Sequence, residues 1–299
     1  MGHTDTLVSI GLPVRDGADR LEVVVQSVLA QDHTDIELVI CDNASTDGTE
    51  ELCRSLAEQH SRVVYHRHPV NVGLLNNYIS ALRLATGTFF RWVGDDDWLA
   101  PRCISRALEA FAADDRLILV TNRIEYTAPD GLTRLSPHHG TALASDDPVT
   151  RFTAMLGMLN EAIPLVDPLY SLIRREPAVR IERRNMLRED EVFAAKLALA
   201  GPWGHVPEVL ARRHLTHATP SMLARKLDVP SWQAYIATTL ECREMVRSLA
   251  EYDLSAEQRR RARRAVAQLY ARRQQDLLIR VGRKLTRTTR RRAGRRQTG

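Results

Sequence analysis

Short apolar runs alternate with helical periodicity through the first third of the chain, and this alternation constrains the fold more than any other feature. Leu7-Val8-Ser9-Ile10-Gly11-Leu12 is apolar and stops at Pro13; Leu21 to Leu29 carries apolar residues at helical spacing. Ile36-Glu37-Leu38-Val39-Ile40-Cys41 reads as a second buried strand, followed by a helix to about His60. Val63-Val64-Tyr65-His66 is a third strand, Gly73 to Ala85 a helix, and Thr88 to Val93 a fourth strand. Strands alternating with helices of this length predict βαβ units and a mainly parallel sheet. In such sheets ligands bind outside the carboxyl ends of the strands. Pro13, Asp42 and Asp95-Asp96-Asp97 each fall just past a strand end, so three polar features far apart in sequence are expected at one edge.

The Asp cluster lies in Trp92-Val93-Gly94-Asp95-Asp96-Asp97-Trp98-Leu99-Ala100-Pro101. A strand interior cannot bury three adjacent anions. A strand end that opens into a cleft can hold them around a cation. Hard divalent ions such as Mg²⁺ or Mn²⁺ take carboxylate oxygens and bridge to a substrate's phosphates. The competing reading is a solvated acidic turn.

Four motifs in order carry a resemblance: Ile10-Gly11-Leu12-Pro13-Val14, then Asp42-Asn43-Ala44-Ser45-Thr46-Asp47-Gly48-Thr49, then Asn71-Val72-Gly73, then Asp95 to Asp97. Over about residues 5 to 217 the chain resembles the family 2 glycosyltransferases of the GT-A fold. In that family the fourth motif often reads Asp-x-Asp-Asp, and here Gly94 replaces its first Asp. The resemblance implies Asp96 and then Asp97 as metal contacts, with Asp95 nearer the nucleotide's ribose or phosphate. It implies Asp42 as acceptor for the nucleotide base, and an acceptor at a strand end suits the imide N–H of uracil or thymine. An Asx-turn or helix cap is the alternative for Asp42, a role that Asp47 or Thr46 fits better. Pro13, Val14 and Arg15 would line the base pocket, although Arg15-Asp16 replaces the usual aromatic-Asn pair. Asn71, Gly73 and Asn77 would close its floor, Gly73 also suiting a plain turn.

The catalytic base is expected later. Asn185-Met186-Leu187-Arg188-Glu189-Asp190-Glu191 precedes an amphipathic run from Val192 to Ala200 that Gly201 and Pro202 terminate. Acids at a helix start are often only dipole partners. The family's Glu-Asp motif sits before a helix of this length, and the match implies Asp190 as the base, with Glu189 and Glu191 as competitors. A positioned carboxylate that takes the acceptor's proton contributes roughly 10²–10⁴-fold. The segment Pro207 to His217 resembles the family's closing strand, which ends in Arg-x-His, and His217 is the candidate metal or diphosphate contact.

Elsewhere, Thr127-Ala128-Pro129-Asp130-Gly131-Leu132 reads as a hairpin tip after a strand from Leu117 to Thr121. Asp146-Asp147-Pro148 reads as a cap for a helix from Val149 to Leu159. Residues 134–170 and 221–252 are expected to shape acceptor choice. Trp98, Trp203 and Trp232 suit either a sugar face or a packing role. The four cysteines, Cys41, Cys53, Cys103 and Cys242, include no Cys-x-x-Cys pair, which argues against a zinc site or a disulfide framework. No apolar signal region opens the chain and no run of 18 apolar residues occurs, so a cytoplasmic protein is expected.

Charge is uneven. Residues 259–299 hold 16 Lys and Arg against Asp276 alone, a net +15, while the whole chain is +5, leaving about −10 on residues 1–258. Val266, Leu269, Tyr270, Leu277, Leu278, Val281 and Leu285 form an apolar stripe on this cationic segment. The stripe can pack on the catalytic domain, or lie on an anionic membrane at its inner face. Nucleic acid is disfavoured, because Tyr270 is the segment's one aromatic residue.

These readings converge on an α/β chain: a GT-A, Rossmann-like, mainly parallel mixed sheet flanked by helices, with a helical basic C-terminal extension. Residues 1–220 would form the catalytic domain, with 1–125 binding the nucleotide sugar and 126–220 the acceptor, and 221–299 the Arg-rich extension. The expected activity is inverting transfer from a nucleoside diphosphate sugar (UDP- or dTDP-linked) to a hydroxyl of a glycan, lipid-linked sugar or small metabolite, with Mn²⁺ or Mg²⁺. The alternatives are a catalytically silent nucleotide-sugar binder and a nucleotidyltransferase. The latter is disfavoured because Pro13-Val14-Arg15-Asp16-Gly17 is no Gly-rich phosphate loop.

Overall fold

The computed structural model describes residues 6–136, 142–160, 167–215 and 219–296, with the side chains of its last helix described through Ile279. The first half is built from β1 (Val8–Val14), α1 (Leu21–Leu29), β2 (Ile36–Asp42), α2 (Thr49–Gln59), β3 (Val63–Arg67), α3 (Leu74–Leu84) and β4 (Phe89–Trp92). β1 is buried along its whole length and lies between β2 and β4, all parallel, with β3 parallel to β2. The crevice on either side of β1 is where such sheets bind ligands. β1 and β2 run slightly beyond their expected ends, so Pro13 and Asp42 are strand residues and Val14 lies opposite Asp42. The β4 ladder ends at Gly11, so the missing N–H of Pro13 falls where β1 is paired on one side only.

The second half adds β5 (Trp98–Leu99), α4 (Cys103–Ala113), β6 (Leu119–Thr127), β7 (Thr133–Leu135), α5 (Pro148–Met158), β8 (Leu172–Arg174), α6 (Arg175–Arg180), α7 (Glu189–Ala200) and β9 (Trp203–His214). Strand order is β3-β2-β1-β4-β8-β6-β9-β5, with β7 paired to β6 as the expected hairpin. β8 is antiparallel to both β4 and β6, and β9 is parallel to β6. β9 begins earlier than the sequence pattern suggests. The β6 register slips between Asn122 and Arg123, which leaves Pro207 and Glu208 in a bulge where proline costs no ladder bond. Asp147 caps α5 as expected, accepting from the Val149 N–H at 3.2 Å.

The chain closes with α8 (Pro220–Lys226), α9 (Gln233–Ser248) and α10 (Ala256–Arg296). One core packs α1, α2 and α4 against one face of the sheet, and a second packs α3 and α7 against the other. A third joins Val149 and Phe152 of α5, Val192 and Leu199 of α7, Cys242 and Met245 of α9, and Ala262, Val266 and Leu269 of α10. α7 is therefore not amphipathic as its sequence suggested. It is buried on both sides, one face on the sheet and one on the C-terminal helices, and such helices are apolar all round. Its Lys196 is buried and donates to the Glu182 carbonyl at 2.8 Å. The apolar stripe of α10 divides. Val266 and Leu269 are core, whereas Leu277, Leu278 and Ile279 are exposed; the side chains of Val281 and Leu285 lie outside the described residues. Among the described residues no helix is long and apolar enough to cross a membrane.

Candidate active site

The Asp cluster follows β4 through the turn at Gly94. Each of its carboxylates meets a different neighbour, which is how three adjacent anions are accommodated. Arg20, at the end of the β1–α1 loop, donates to Asp95 Oδ2 through Nη2 at 2.7 Å and Nε at 3.3 Å. Asp97 is 3% exposed; it accepts from the Gly94 N–H at 2.7 Å and from Arg213 Nε at 3.0 and 3.1 Å. Arg213 lies over the Tyr170 ring and donates onward to Asp167 at 2.6 Å, so one part-buried guanidinium serves the buried Asp97 and the part-buried Asp167. Such burial is tolerated only when charges are paired and hydrogen-bonded.

Asp96 differs. Its side chain is 39% exposed, and its ion-pair neighbour among the described residues is His214, with Nδ1 3.7 Å from Oδ2 and 3.3 Å from the Asp96 carbonyl oxygen. Burial, followed by the charges of Asp97 and Asp95, raises the Asp96 pKa. A carboxylate so placed gains from a cation. His214 ends β9, in Arg212-Arg213-His214, which itself fits the Arg-x-His pattern. Reading the pattern there, three residues before His217, would have found it. His217 lies outside the described residues.

Glu189, Asp190 and Glu191 form the first turn of α7, entered through Arg188 at a left-handed φ of 64°. Arg183 grips Glu189 with two bonds of 2.6 Å, and its guanidinium covers the Phe193 ring. Glu191 is held by Arg188 at 3.4 Å and by Arg273 of α10. Asp190, between them, lines a cavity. Asp190 is open to solvent at the cavity mouth; the desolvation its walls impose, then the charges of Glu191 and Glu189, raises its pKa to about 7. A carboxyl that titrates near neutral is suited to accept a proton.

The cavity has a volume of about 440 Å³, and its lining includes Asp95, Asp96, His214, Arg188, Asp190 and Lys226. Leu223 and Leu227 add an apolar wall. The tertiary fold thus brings the Asp cluster and the α7 acids to one space. Of the residues expected to hold the nucleotide, Asp95 and Asp96 line this cavity, whereas Pro13, Val14, Arg15 and Asp42 at the ends of β1 and β2, and Asn71, Gly73 and Asn77 at the start of α3, lie outside its lining. Asn77 Nδ2 donates to the Cys41 carbonyl at 2.9 Å and to the Val14 carbonyl at 3.4 Å, tying the two strand ends together. Asn71 accepts from the Gly73 N–H at 2.9 Å, and Gly73 takes a φ of 87° as the chain enters α3. Arg15 is part-exposed, 3.5 Å from Asp16. Asp42 is 0% exposed and saturated: Ser45 N–H at 2.8 Å and Oγ at 2.5 Å on Oδ1, the Tyr65 hydroxyl at 2.8 Å and Arg67 at 3.4 Å on Oδ2. Sequence reasoning missed Arg20, Tyr65, Arg67 and Asp167, which have no local pattern. Of the tryptophans, Trp203 is core and bonded to the Leu197 carbonyl, Trp98 lies under Arg212, and Trp232 is exposed.

A family model described as Glycosyl transferase family 2 matches residues 9–181. The chain belongs to glycosyl transferase family 2. The matched span holds the ends of β1, β2 and β4 and stops before Asp190 and His214. Over 144 residues the chain is 31% identical to the abequosyltransferase RfbV of Salmonella typhimurium, covering 47% of this chain and 43% of that protein. It therefore spans less than half of that relative. Among solved structures, S. aureus TarS 1-349 in complex with UDP aligns with a TM-score of 0.61, over 86% of this chain and 69% of that one, at 14% identity. The mannosyltransferase PcManGT from Pyrobaculum calidifontis, in complex with GDP-Man and Mn²⁺, aligns with a TM-score of 0.54, over 95% and 81%, at 18% identity. At these identities the likeness is one of fold, and it bears out the GT-A expectation for this family 2 chain.

Proposed function

We propose that this family 2 protein is an inverting glycosyltransferase that moves a sugar from a UDP- or dTDP-sugar to a hydroxyl acceptor, with Mn²⁺ or Mg²⁺ as cofactor. The observation that carries the reading is the cavity. It holds a carboxylate in want of a cation, Asp96, together with one poised to accept a proton, Asp190. UDP on TarS and Mn²⁺ with GDP-Man on PcManGT support the donor class and the metal.

Asp96 and His214 fit a divalent ion. Among the described residues no group of three His, Cys, Asp or Glu forms a site by itself, so the donor's diphosphate would supply further oxygens. Bound there, the ion would offset the charge of the departing diphosphate. Asp97, committed to Arg213 and Gly94, serves as the brace of the cluster in this reading. Asp190 takes the acceptor's hydroxyl proton as that oxygen bonds to the anomeric carbon. The bond from that carbon to the diphosphate oxygen breaks, and its electron pair leaves with the diphosphate. One carboxylate acting on the acceptor implies one displacement, hence inversion. Recognition of an imide N–H by Asp42 requires the Tyr65 hydroxyl to leave Oδ2.

The acceptor is assigned to the lipid-bearing class, delivered at an anionic membrane on the cytoplasmic side. α10 runs antiparallel to α9: Arg259 bonds the Leu249 carbonyl and Arg273 bonds Glu241. Exposed Leu277, Leu278 and Ile279 therefore lie at the same end as exposed Trp232 and Tyr235. α8, whose Leu223 and Lys226 line the cavity, packs on that end through Ala224 and Ala237. Residues 280–296 add nine Lys and Arg and no acid. Exposed apolar side chains followed by so basic a sequence suit anionic lipid.

Activity is tested by UDP or dTDP release from a panel of nucleotide sugars with and without Mn²⁺. Asp190→Asn should keep donor binding while transfer falls roughly 10²–10⁴-fold. A near-wild-type rate for Asp190→Asn alongside a dead Glu189→Gln or Glu191→Gln would move the base to the neighbour.

A further inference from the structure

The first turn of α7 carries three consecutive acids and no side-chain cap bond. The helix dipole favours them by only about 0.3–1 kcal/mol each, so other groups must hold the turn. Arginines do. Arg183 takes Glu189 from the preceding segment, and Arg273 takes Glu191 from 82 residues further on. Arg273 is 10% exposed, and its fork also reaches Glu241 of α9 and, at 3.0 Å, the Leu159 carbonyl at the end of α5. Glu241 is fully buried. One guanidinium thus joins four helices at the residue beside Asp190.

We propose that Arg273 is a positioning residue for Asp190: by holding Glu191 it fixes the first turn of α7 in the geometry that turns Asp190 toward the cavity. This rests on Asp190 as the base. It assigns the buried half of the basic C-terminal helix to the reaction itself, apart from any membrane role of the distal half. Lysine cannot replace the residue, because one ammonium lacks the planar fork that spans two carboxylates. The charges facing Asp190 are those of Glu189, Glu191 and Arg188 on its own turn. Asp167 and Arg213 face it from the other elements of the site, and Lys226 and His214 share the cavity lining. Arg273 neutralises Glu191, so its loss leaves an extra anion next to Asp190 as well as a looser turn. Burial, then the charge of Glu191, pushes the Glu241 carboxyl up, and Arg273 opposes that shift.

The test is a ¹³C-carboxyl NMR titration of Asp190 in the full chain, assigned with Asp190→Asn, alongside kcat and KM for nucleotide release. In Arg273→Gln the Asp190 midpoint should rise by on the order of half to one pH unit. kcat should fall about tenfold or more, while donor KM stays within about twofold, the pattern of a lost transition-state interaction. Adding Glu191→Gln should return the midpoint toward wild type. Arg273→Lys keeps the charge and the fold if Arg273→Gln does not, and should lose kcat with a smaller midpoint shift. Truncation after Gln274 should leave the Asp190 midpoint unchanged. A folded Arg273 variant with wild-type midpoint and kcat, or a double variant with no recovery, overturns the proposal. Full activity of Asp190→Asn would instead overturn the base assignment, with the Arg273 coupling still read by NMR.

Discussion

Replacing Asp97 and Asp96 one at a time should separate two roles that a run of three identical residues conceals. Asp97→Ala removes the acceptor from the buried Gly94 N–H and the part-buried Arg213 Nε. Each orphaned donor costs about 1–3 kcal/mol, and breaking a buried ion pair costs about 3–5 kcal/mol. Because Arg213 keeps Asp167, the loss should stand near 3–5 kcal/mol rather than the sum of these figures. At about 2 °C per kcal/mol for a chain of this size, Tm should fall roughly 6–10 °C. Asp96→Ala removes a part-exposed side chain that is not tied to a buried donor, so its cost should stay within about 1 kcal/mol, or about 2 °C. The assay is thermal unfolding with and without UDP and Mn²⁺. A ligand at about 100 times its Kd adds about 2.7 kcal/mol, or about 5 °C. Asp96→Ala should lose the Mn²⁺-dependent part of that shift, and Asp97→Ala should keep it from its lower baseline. An Asp97→Ala protein with wild-type Tm but no Mn²⁺ response would refute the reasoning and make Asp97 the metal ligand.

The raised pKa of Asp190, about 7, fixes two further signs. The ionised form is the base, so turnover should rise with pH through about 7 and fall on the acid side. A folded-state pKa above the unfolded value means that the ionised carboxylate costs stability above pH 7, a cost relieved as pH falls toward the unfolded pKa of about 3.9. Asp190→Asn should therefore have a higher Tm than wild type at pH 8, with the difference shrinking below pH 7 and vanishing only near pH 4; equal Tm values at pH 8 would contradict the raised pKa of Asp190. Truncation should divide α10 at Arg273. Ending the chain after residue 258 strips Ala262, Val266 and Leu269 from the third core, where a single Leu→Ala change costs about 2–5 kcal/mol, and should give insoluble protein. Ending it after Gln274 should leave a folded enzyme that no longer floats with anionic vesicles at low salt. Retained flotation would move the lipid contact elsewhere.

The alternation of apolar runs and helices was enough to specify β1 to β4 and their crossovers, because period and burial are properties of each segment. The polar residues at the strand ends followed from that, since a parallel sheet places all its carboxyl ends on one edge. The cap at Asp147 and the hairpin after β6 were legible for the same local reason. The four motifs likewise named the family before any coordinates. Asp42 was legible as an acceptor at a strand end, while its burial and its saturation by Tyr65 and Arg67 were not, because those residues sit on the neighbouring strand.

What the sequence could not assign were the partners. Which Asp of three is left without an arginine depends on Arg20, 75 residues upstream of Asp95, and on Arg213, 116 residues downstream of Asp97. The burial of α7 on both sides, the approach of His214 to Asp96, and the burial of Ala262, Val266 and Leu269 of the basic helix depend equally on contacts between distant segments. Secondary structure and strand-end placement follow from local periodicity and backbone hydrogen bonding, so they can be read along the chain. The charge state and role of a carboxylate follow from which cation lies within a few ångströms, and only the folded chain decides that.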